Sequence, residues 1–415
     1  MLGRTTMFTK GGRRARGVPP AGRSTAAVLL ALGALGALAG VVGCAPPPGG
    51  PGTPTTSTTA PPPTTAAPTT TRPPVPTTTV APTTSTTAPP ATTTTTAPEP
   101  GPGAGCGRVT ALLEPTCGAW FGVYARTDRS YGWNPTVPLE EIEAQVGRRF
   151  DVVHSYRDMS NQGRNGVFPD SYDREQVAAG RILKISWESR IFSSGTTLTW
   201  RQIYDGSHDA TIDAVGARLA AWGEPVFLTF DHEPEDEPAK GTDAEYVRAW
   251  RHVHDRITAA GADNVIWVWT MMGYSGHYSR YKALYPGDEY VDWIGYDPYN
   301  FYVCTGNRTW KSPYDTVHPF YAWLEANHLG DGKPIMLSEY GTAADPADPE
   351  AKRRWFEAWP AAVKAHPRIK AVLYFNSAGV TTTTDTCNML LNDTPSSIAG
   401  FSTAAADPYF TQPHG

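Results

Sequence analysis

The chain has 415 residues, five cysteines and a formal net charge of −5, and its 40% of hydrophobic residues is low for a folded protein of this length. The composition is uneven: residues 106–415 hold 28 of the 35 basic residues, 39 of the 40 acidic residues and all 13 tryptophans, so this segment alone carries a net charge of −11. So acidic a segment offers no basic surface to nucleic acid or anionic lipid. We expect one folded domain over 106–415, and the function to lie in it.

Residues 1–44 are predicted to be an export signal. Six basic residues and no acidic one accompany an apolar run over 26–43 that ends in small residues before Cys44. The stretch from Val41 to Cys44 resembles a bacterial lipobox, in which the cysteine is lipidated and becomes the mature N-terminus. We therefore expect an exported protein anchored by lipid to the membrane at the cell surface. An uncleaved membrane-spanning anchor and plain secretion are the alternatives.

Residues 45–105 are predicted to be a disordered linker. Thr and Pro fill 36 of the 50 positions in 51–100, with 22 Thr and 14 Pro. So little apolar surface cannot offset the entropy lost on ordering. Proline-rich chain is extended, at about 3.1 Å per residue, so the linker is interpreted as a spacer.

The cysteines favour two disulfides. With Cys44 assigned to lipid, Cys106, Cys117, Cys304 and Cys387 remain, an even number in an exported chain. Three pairings are open. Cys106–Cys117 with Cys304–Cys387 is favoured, because it closes one short local loop and links two late segments.

Eight apolar runs rich in β-forming residues follow one another beyond Cys106, as expected of strands buried on both faces. They cover residues 119–126, 150–156, 182–188, 225–233, 265–270, 290–297, 334–341 and 369–377. Helical spacing of apolar residues separates them, most clearly over 208–222 and 243–260. Eight such units predict a (β/α)8 TIM barrel rather than an open doubly wound sheet. The first run ends in Tyr124-Ala125-Arg126 and continues into Thr127, and this stretch lacks the glycines of a phosphate-binding loop.

Two glutamates come at the ends of well-separated runs. Glu233 ends the fourth run and Glu339 lies near the end of the seventh. In a TIM barrel these ends meet at one face, where the active site lies. Glycoside hydrolysis requires a protonated carboxyl and an ionised carboxylate in this arrangement. An isolated glutamate is usually a solvated surface residue, but a pair at strand ends is a candidate catalytic pair.

Other strand ends carry residues suited to sugars, because aromatic faces stack on pyranose rings and polar groups bind hydroxyls. We predict as substrate-binding residues His154, Trp187, His232, Trp269 and Tyr296. The mid-strand residues Trp267 and Trp293 are interpreted as core.

These motifs resemble the retaining glycoside hydrolases that use a glutamate from strand four and another from strand seven, and most of all glycoside hydrolase family 26, the β-mannanase family. The resemblance rests on His232-Glu233, on the segment 285–299 and on SEYG at 338–341. It implies that Glu233 is the general acid/base and Glu339 the nucleophile. It also implies that His232 supports the catalytic centre and that Tyr296 contacts the nucleophile.

The resemblance implies an endo-β-glycanase similar to endo-1,4-β-mannanases. We also expect no cofactor or metal, and a monomer. Thr229 stands where family mannanases usually carry Arg, and an acidic run, 234–237, stands where they commonly carry Asn-Gly. Mixed-linkage glucan and xylan therefore remain alternative substrates. We interpret this run as part of a solvent-exposed loop at the rim of the barrel, in which only the preceding Glu233 turns inward. A calcium-binding loop is the alternative. A non-catalytic polysaccharide-binding protein is the rival from another class, and a lyase or transglycosylase is a third interpretation.

Overall fold

The computed structural model describes residues 106–125, 136–304, 308–378 and 388–411. The predicted export signal with Cys44 and the predicted Thr/Pro-rich linker lie outside these residues. Within them, no helix combines the length and the apolar character needed to cross a bilayer.

Eight parallel strands form a closed barrel. They are β1 (Trp120–Ala125), β2 (Val152–Asp158), β3 (Ile182–Glu188), β4 (Val226–Phe230), β5 (Val265–Met271), β6 (Trp293–Tyr296), β7 (Ile335–Thr342) and β8 (Ile369–Asn376). Each strand pairs with the next in the chain, and β8 pairs with both β7 and β1, which closes the sheet. All eight predicted runs, and the (β/α)8 fold class, are confirmed.

Helices surround the barrel. They are α1 (Thr136–Val146), α2 (Gly163–Gly166), α3 (Ser171–Ala178), α4 (Trp200–Tyr204), α5 (Asp209–Trp222), α6 (Asp243–Ala259), α7 (Tyr278–Leu284), α8 (Pro313–Asn327), α9 (Ala351–Lys364) and α10 (Pro395–Ala405). The helices predicted over 208–222 and 243–260 are confirmed as α5 and α6. Thr242 begins α6 with a capping box, its side chain accepting from the Glu245 N–H.

The apolar residues form two layers, because successive side chains on a strand point to opposite faces. Inside the barrel lie Trp120, Val152, Phe227, Ile266 and Trp293, together with residues of β5, β7 and β8. The larger layer fills the space between the strands and the helices. Trp267 belongs to this outer layer and Trp293 to the inner one, so both are core residues as predicted.

The segment before β1 covers the end of the barrel where the strands begin. The Trp120 indole donates to the Leu113 carbonyl at 2.6 Å, and the Trp293 indole donates to the Leu112 carbonyl at 2.8 Å. The site must therefore lie at the opposite end.

The structure bears on three of the four cysteines assigned to disulfides. Cys106 and Cys117 form a disulfide, which confirms that prediction. Cys304 is also disulfide-bonded. Its predicted partner, Cys387, lies outside the described residues.

Candidate active site

Glu233 lies in a loop that is fixed to both neighbouring strands. β4 ends at Phe230, and both Asp231 and Glu233 adopt left-handed backbone conformations, with φ of 53° and 52°. The Asp231 N–H donates to the Trp187 carbonyl at 3.0 Å, and the Glu233 N–H to the Thr270 carbonyl at 3.3 Å. Such conformations cost about 1–3 kcal/mol each for residues other than glycine and persist where the surroundings hold them. Hydrogen bonds to both neighbouring strands thus hold this loop, and with it Glu233, at the barrel mouth.

The side chain of Asp231 fixes this loop through hydrogen bonds in the protein interior. It is fully buried and accepts hydrogen bonds from Lys240 Nζ at 2.6 Å, from Ser189 Oγ at 2.7 Å and from the Trp200 indole. The ion pair with Lys240 compensates both buried charges. Asp231 therefore has a structural role beside the site.

Glu339 reaches the site because β7 contains a bulge. Between Leu337 and Tyr340 the strand advances three residues while β8 advances two, from Val372 to Tyr374. A bulge re-aims the side chains that follow it. Ser338 faces the interior, with Oγ 3.0 Å from Thr270 Oγ1, and the Glu339 carboxyl lies at the barrel mouth. Tyr340 turns outward and stacks on Trp359 with ring centroids 4.0 Å apart.

Hydrogen-bond donors surround the Glu339 carboxylate. The Tyr156 hydroxyl donates to Oε1, and the Tyr299 hydroxyl donates to Oε2 at 2.6 Å. The backbone N–H of Glu339 donates to Asp297 Oδ1 at 2.8 Å. Donation to both carboxylate oxygens stabilises the ionised form, as a nucleophile requires.

Glu233 has the opposite environment. Burial raises its pKa well above the usual value, and the charges of Asp297, Glu339 and Glu235 and a hydrogen bond with Asp297 raise it further. Burial and the neighbouring charges thus favour the protonated form of Glu233. Two carboxyls with unequal environments are the basis of acid and nucleophile assignments in glycosidases.

Of the two histidines predicted to bind substrate, His232 lies beside the carboxyls and His154 lies behind it, and their binding of substrate stays a prediction. His232 Nε2 lies 2.7 Å from Asp297 Oδ2 and 3.9 Å from Glu339 Oε1. The His154 ring lies behind it, with ring centroids 6.0 Å apart. Burial and, after it, the charge of Lys184 lower the pKa of His232 to about 3, so the imidazole is neutral. The support for the catalytic centre that the resemblance implies for His232 matches this position.

The prediction that Trp187 and Trp269 bind substrate is wrong. Both side chains are 0% exposed and belong to the layer between strands and helices. The Trp187 indole donates to the Asp158 carbonyl at 2.9 Å, and the Trp269 indole to the Leu284 carbonyl at 3.2 Å. Position at a strand end was correctly predicted, but these residues point away from the barrel axis.

The prediction that Tyr296 binds substrate and contacts the nucleophile is also wrong, for the same reason. Its hydroxyl donates to the Val317 carbonyl of α8 at 2.8 Å, and its ring packs on Phe320. The tyrosines that contact Glu339 are Tyr156 and Tyr299. Tyr299 was missed, although a polar aromatic residue two positions after Asp297 was a readable signal.

The acidic run after Glu233 is not a solvated rim. Glu235 is 2% exposed and accepts from the Met272 N–H at 2.6 Å. Glu237 is half-buried and lies 3.1 Å from Arg190 and 3.7 Å from Lys240. The interpretation that only Glu233 turns inward is therefore wrong.

Among the described residues, one group has the geometry of a metal site: His232, Asp297 and Glu339 offer ligand atoms within 4.8 Å of one another. Both Glu339 oxygens accept phenolic protons. The ammonium of Lys184 also lies two hydrogen bonds behind His232, through Ser186. These donors and this positive charge suit an anionic nucleophile better than a bound cation.

The comparisons with known proteins give one family match and several relatives of low identity. Residues 225–320 match the family described as Glycosyl hydrolase family 26, a stretch that includes Glu233, Asp297 and Tyr299. Endoglucanase H of Acetivibrio thermocellus is 25% identical over 284 residues, which cover 65% of this chain and 29% of that protein. β-1,3-Xylanase TXYA of a Vibrio species is 28% identical over 142 residues, 34% of this chain and 28% of that protein. The chain thus spans less than a third of the length of these relatives.

The fold is also similar to a solved structure. A ruminal family 26 endo-β-1,4-mannanase superposes with a TM-score of 0.51 at 18% identity, over 70% of this chain and 64% of that one. The likeness to this structure is one of fold. The match over residues 225–320 and the curated relatives support glycoside hydrolase family 26 as the family of this barrel.

Proposed function

We propose that the barrel hydrolyses β-linked polysaccharide with retention of configuration. Glu233 protonates the glycosidic oxygen while Glu339 attacks the anomeric carbon, which forms a glycosyl-enzyme and releases the aglycone. Water then attacks the anomeric carbon, Glu233 takes its proton, and Glu339 leaves as a carboxylate. The unequal environments of the two glutamates carry the proposal: burial and neighbouring charge keep Glu233 protonated, and two phenols donate to Glu339.

Replacement of either glutamate tests this mechanism. Glu339→Ala is expected to abolish hydrolysis with the fold intact, since residues at this end of a barrel serve function more than stability. Glu233→Ala is expected to lose activity on polysaccharide but to keep part of it on an aryl glycoside, whose leaving group needs no acid. Glu224→Ala is a matched control, because Glu224 is exposed just before β4, at the opposite end of the barrel.

The stereochemical outcome is an independent test. Proton NMR of the first product formed from an oligosaccharide shows whether the β-anomer is kept. Retention goes with carboxyl groups about 5–5.5 Å apart and inversion with about 6.5–9.5 Å. Accumulation of the α-anomer, or activity that survives both glutamate replacements, would exclude the mechanism. Binding of glycan without hydrolysis would favour a non-catalytic polysaccharide-binding protein.

For the substrate we propose a β-linked backbone polymer cut internally, with mannan first. The resemblance of the motifs to β-mannanases supports mannan. The curated relatives include an endoglucanase and a β-1,3-xylanase, which supports glucan and xylan as alternative substrates. A panel of mannan, mixed-linkage glucan, 1,4-xylan and 1,3-xylan separates these alternatives, and sugar products other than hydrolysis products would reveal a transglycosylase.

We also propose that Cys44 carries lipid and tethers the enzyme to the membrane through the Thr/Pro-rich linker. The basic, apolar and small-residue regions of 1–44 support this. Cys44→Ser is expected to release the protein from the membrane fraction without a change in specific activity.

A further inference from the structure

Lys184 is an unusual residue for the inside of a barrel. It lies on β3 beneath the catalytic carboxyls and is 0% exposed. Its ammonium donates to Ser186 Oγ, and it lies 3.3 Å from His154 Nε2. Buried lysines are rare unless their charge is compensated or used, and the mechanism given above does not use this one.

The contacts of this ammonium determine where the neighbouring protons lie. An ammonium has three donors and no acceptor, so His154 Nε2 must accept from it and carries no proton. Ser186 Oγ lies 3.0 Å from His154 Nε2 and 3.1 Å from His232 Nδ1. Because His154 Nε2 already receives the lysine proton, the single hydroxyl proton of Ser186 is directed to His232 Nδ1. A neutral His232 then carries its own proton on Nε2.

We propose that Lys184 is a positioning residue that acts through Ser186 to hold His232 with its proton on Nε2, beside Asp297 and Glu339. This proposal rests on the retaining mechanism proposed above and adds to it a device that orients the proton next to the nucleophile. The opposite tautomer would place a nitrogen lone pair 2.7 Å from Asp297 Oδ2. With the proton on Nδ1, His232 would donate to Ser186 Oγ, and the Ser186 hydroxyl would then have to donate to His154 Nε2. That nitrogen already accepts a proton from Lys184.

The positive charge of Lys184 has a second effect. The ionisable groups that face it are His154 from β2, Glu188 from β3, His232 and Glu233 after β4, Asp297 after β6 and Glu339 from β7. Burial lowers the pKa of Lys184 to about 8, while the acidic groups favour its charged form. In return, Lys184 opposes the rise that burial and Glu339 cause in the pKa of Asp297. Loss of the cation should therefore make the carboxyls of the site harder to ionise.

The tautomer can be measured without any substrate. Long-range ¹H–¹⁵N spectra of the full-length chain with ring-labelled histidine, at pH 6, distinguish the two tautomers, and His232→Asn identifies the His232 signals among ten histidines. We expect Nε2–H in the native protein and a mixture of tautomers in Lys184→Met and Ser186→Ala. Lys352→Met is the matched control, because Lys352 is also buried but lies on α9 and donates to Asp393.

Kinetics test the same device. Lys184→Met and Ser186→Ala should both lower kcat/KM by roughly 10- to 100-fold, the loss typical of one hydrogen bond to a charged group. Only Lys184→Met should also move the acidic limb of the kcat/KM–pH profile to higher pH, because Ser186→Ala retains the positive charge of Lys184. Lys352→Met should change neither kcat/KM nor the limb.

The failure of this proposal can be told from the failure of the proposed function. A native protein that hydrolyses none of the glycans contradicts the function, while its spectra still report the tautomer. An active protein with the His232 proton on Nδ1 overturns the role of Lys184 alone. A Lys184→Met protein with unchanged tautomer and pH profile would overturn it equally.

Discussion

Tyr299→Phe removes one hydroxyl group, the one that donates a hydrogen bond to the proposed nucleophile Glu339, and leaves the aromatic ring in place. That hydroxyl donates to Glu339 Oε2 at 2.6 Å. Burial and the charge of Glu339 raise the pKa of Tyr299 well above its usual value, so the phenol remains a donor across the working range. A hydrogen bond to a charged group contributes about 1.5–3 kcal/mol, and each 1.4 kcal/mol is tenfold. We therefore expect kcat/KM to fall roughly 10- to 100-fold.

The pH profile gives the direction of the effect. A carboxylate that loses a donor is less stable in its ionised form, so the acidic limb of kcat/KM should move to higher pH in Tyr299→Phe. Initial rates on the best polysaccharide of the substrate panel, measured across the acidic range, determine both the limb and the fold-loss.

Tyr296→Phe is the matched control. It removes the same atom from a neighbouring tyrosine whose hydroxyl donates to the Val317 carbonyl of α8. This variant should lose about 1 kcal/mol of stability and keep its kcat/KM. Equal loss of activity in the two variants, or none in Tyr299→Phe, would refute the assignment of Tyr299 to the nucleophile.

Three predictions concern stability. Asp231→Ala should lower the free energy of unfolding in urea by about 3 kcal/mol, because it removes the 2.6 Å ion pair of buried Lys240 and leaves it only the more distant Glu188 and Glu237. Burial raises the pKa of Glu235 from 4.5 to about 7, so the folded state binds this proton more tightly than the unfolded state does. The free energy of unfolding therefore decreases as the pH rises from about 4.5 to 7. Glu235→Gln should thus be more stable than the native chain by on the order of 3 kcal/mol at pH 8, with no gain at pH 4. Gly295→Ala should lower stability by about 1–3 kcal/mol in thermal unfolding, since its Cβ would lie 2.6 Å from Ser338 Oγ.

The fold was predictable because its strands are buried on both faces. In a parallel barrel both the inner and the outer residues of a strand are apolar, so each strand appears as a short continuous apolar run. The fifth run, 265–270, differs from strand β5 by one residue at its end. The same property hides the direction of each side chain, because a continuous run contains no alternation to show which residues face the axis.

The errors at the site follow from that hidden direction. Trp187 and Glu188 are neighbours at the end of β3, and only Glu188 turns to the barrel mouth, where it accepts from the His232 N–H at 3.3 Å. The same holds for Tyr296 and Asp297 after β6. A strand-end position therefore predicted the right end of the barrel, but alternation decided which of two adjacent residues reaches it.

The bulge in β7 shows why alternation alone would also have failed. Ser338 faces the interior, so strict alternation would turn Glu339 outward and Tyr340 inward. The extra residue reverses both: Glu339 joins the carboxyl cluster, and its N–H is free of the ladder to donate to Asp297. Tyr340 instead packs on Trp359 beneath the helices. The orientation of the proposed nucleophile thus depends on a β-bulge that the pattern of apolar residues does not predict. It was found only because a glutamate at a strand end has chemistry that glycoside hydrolysis requires.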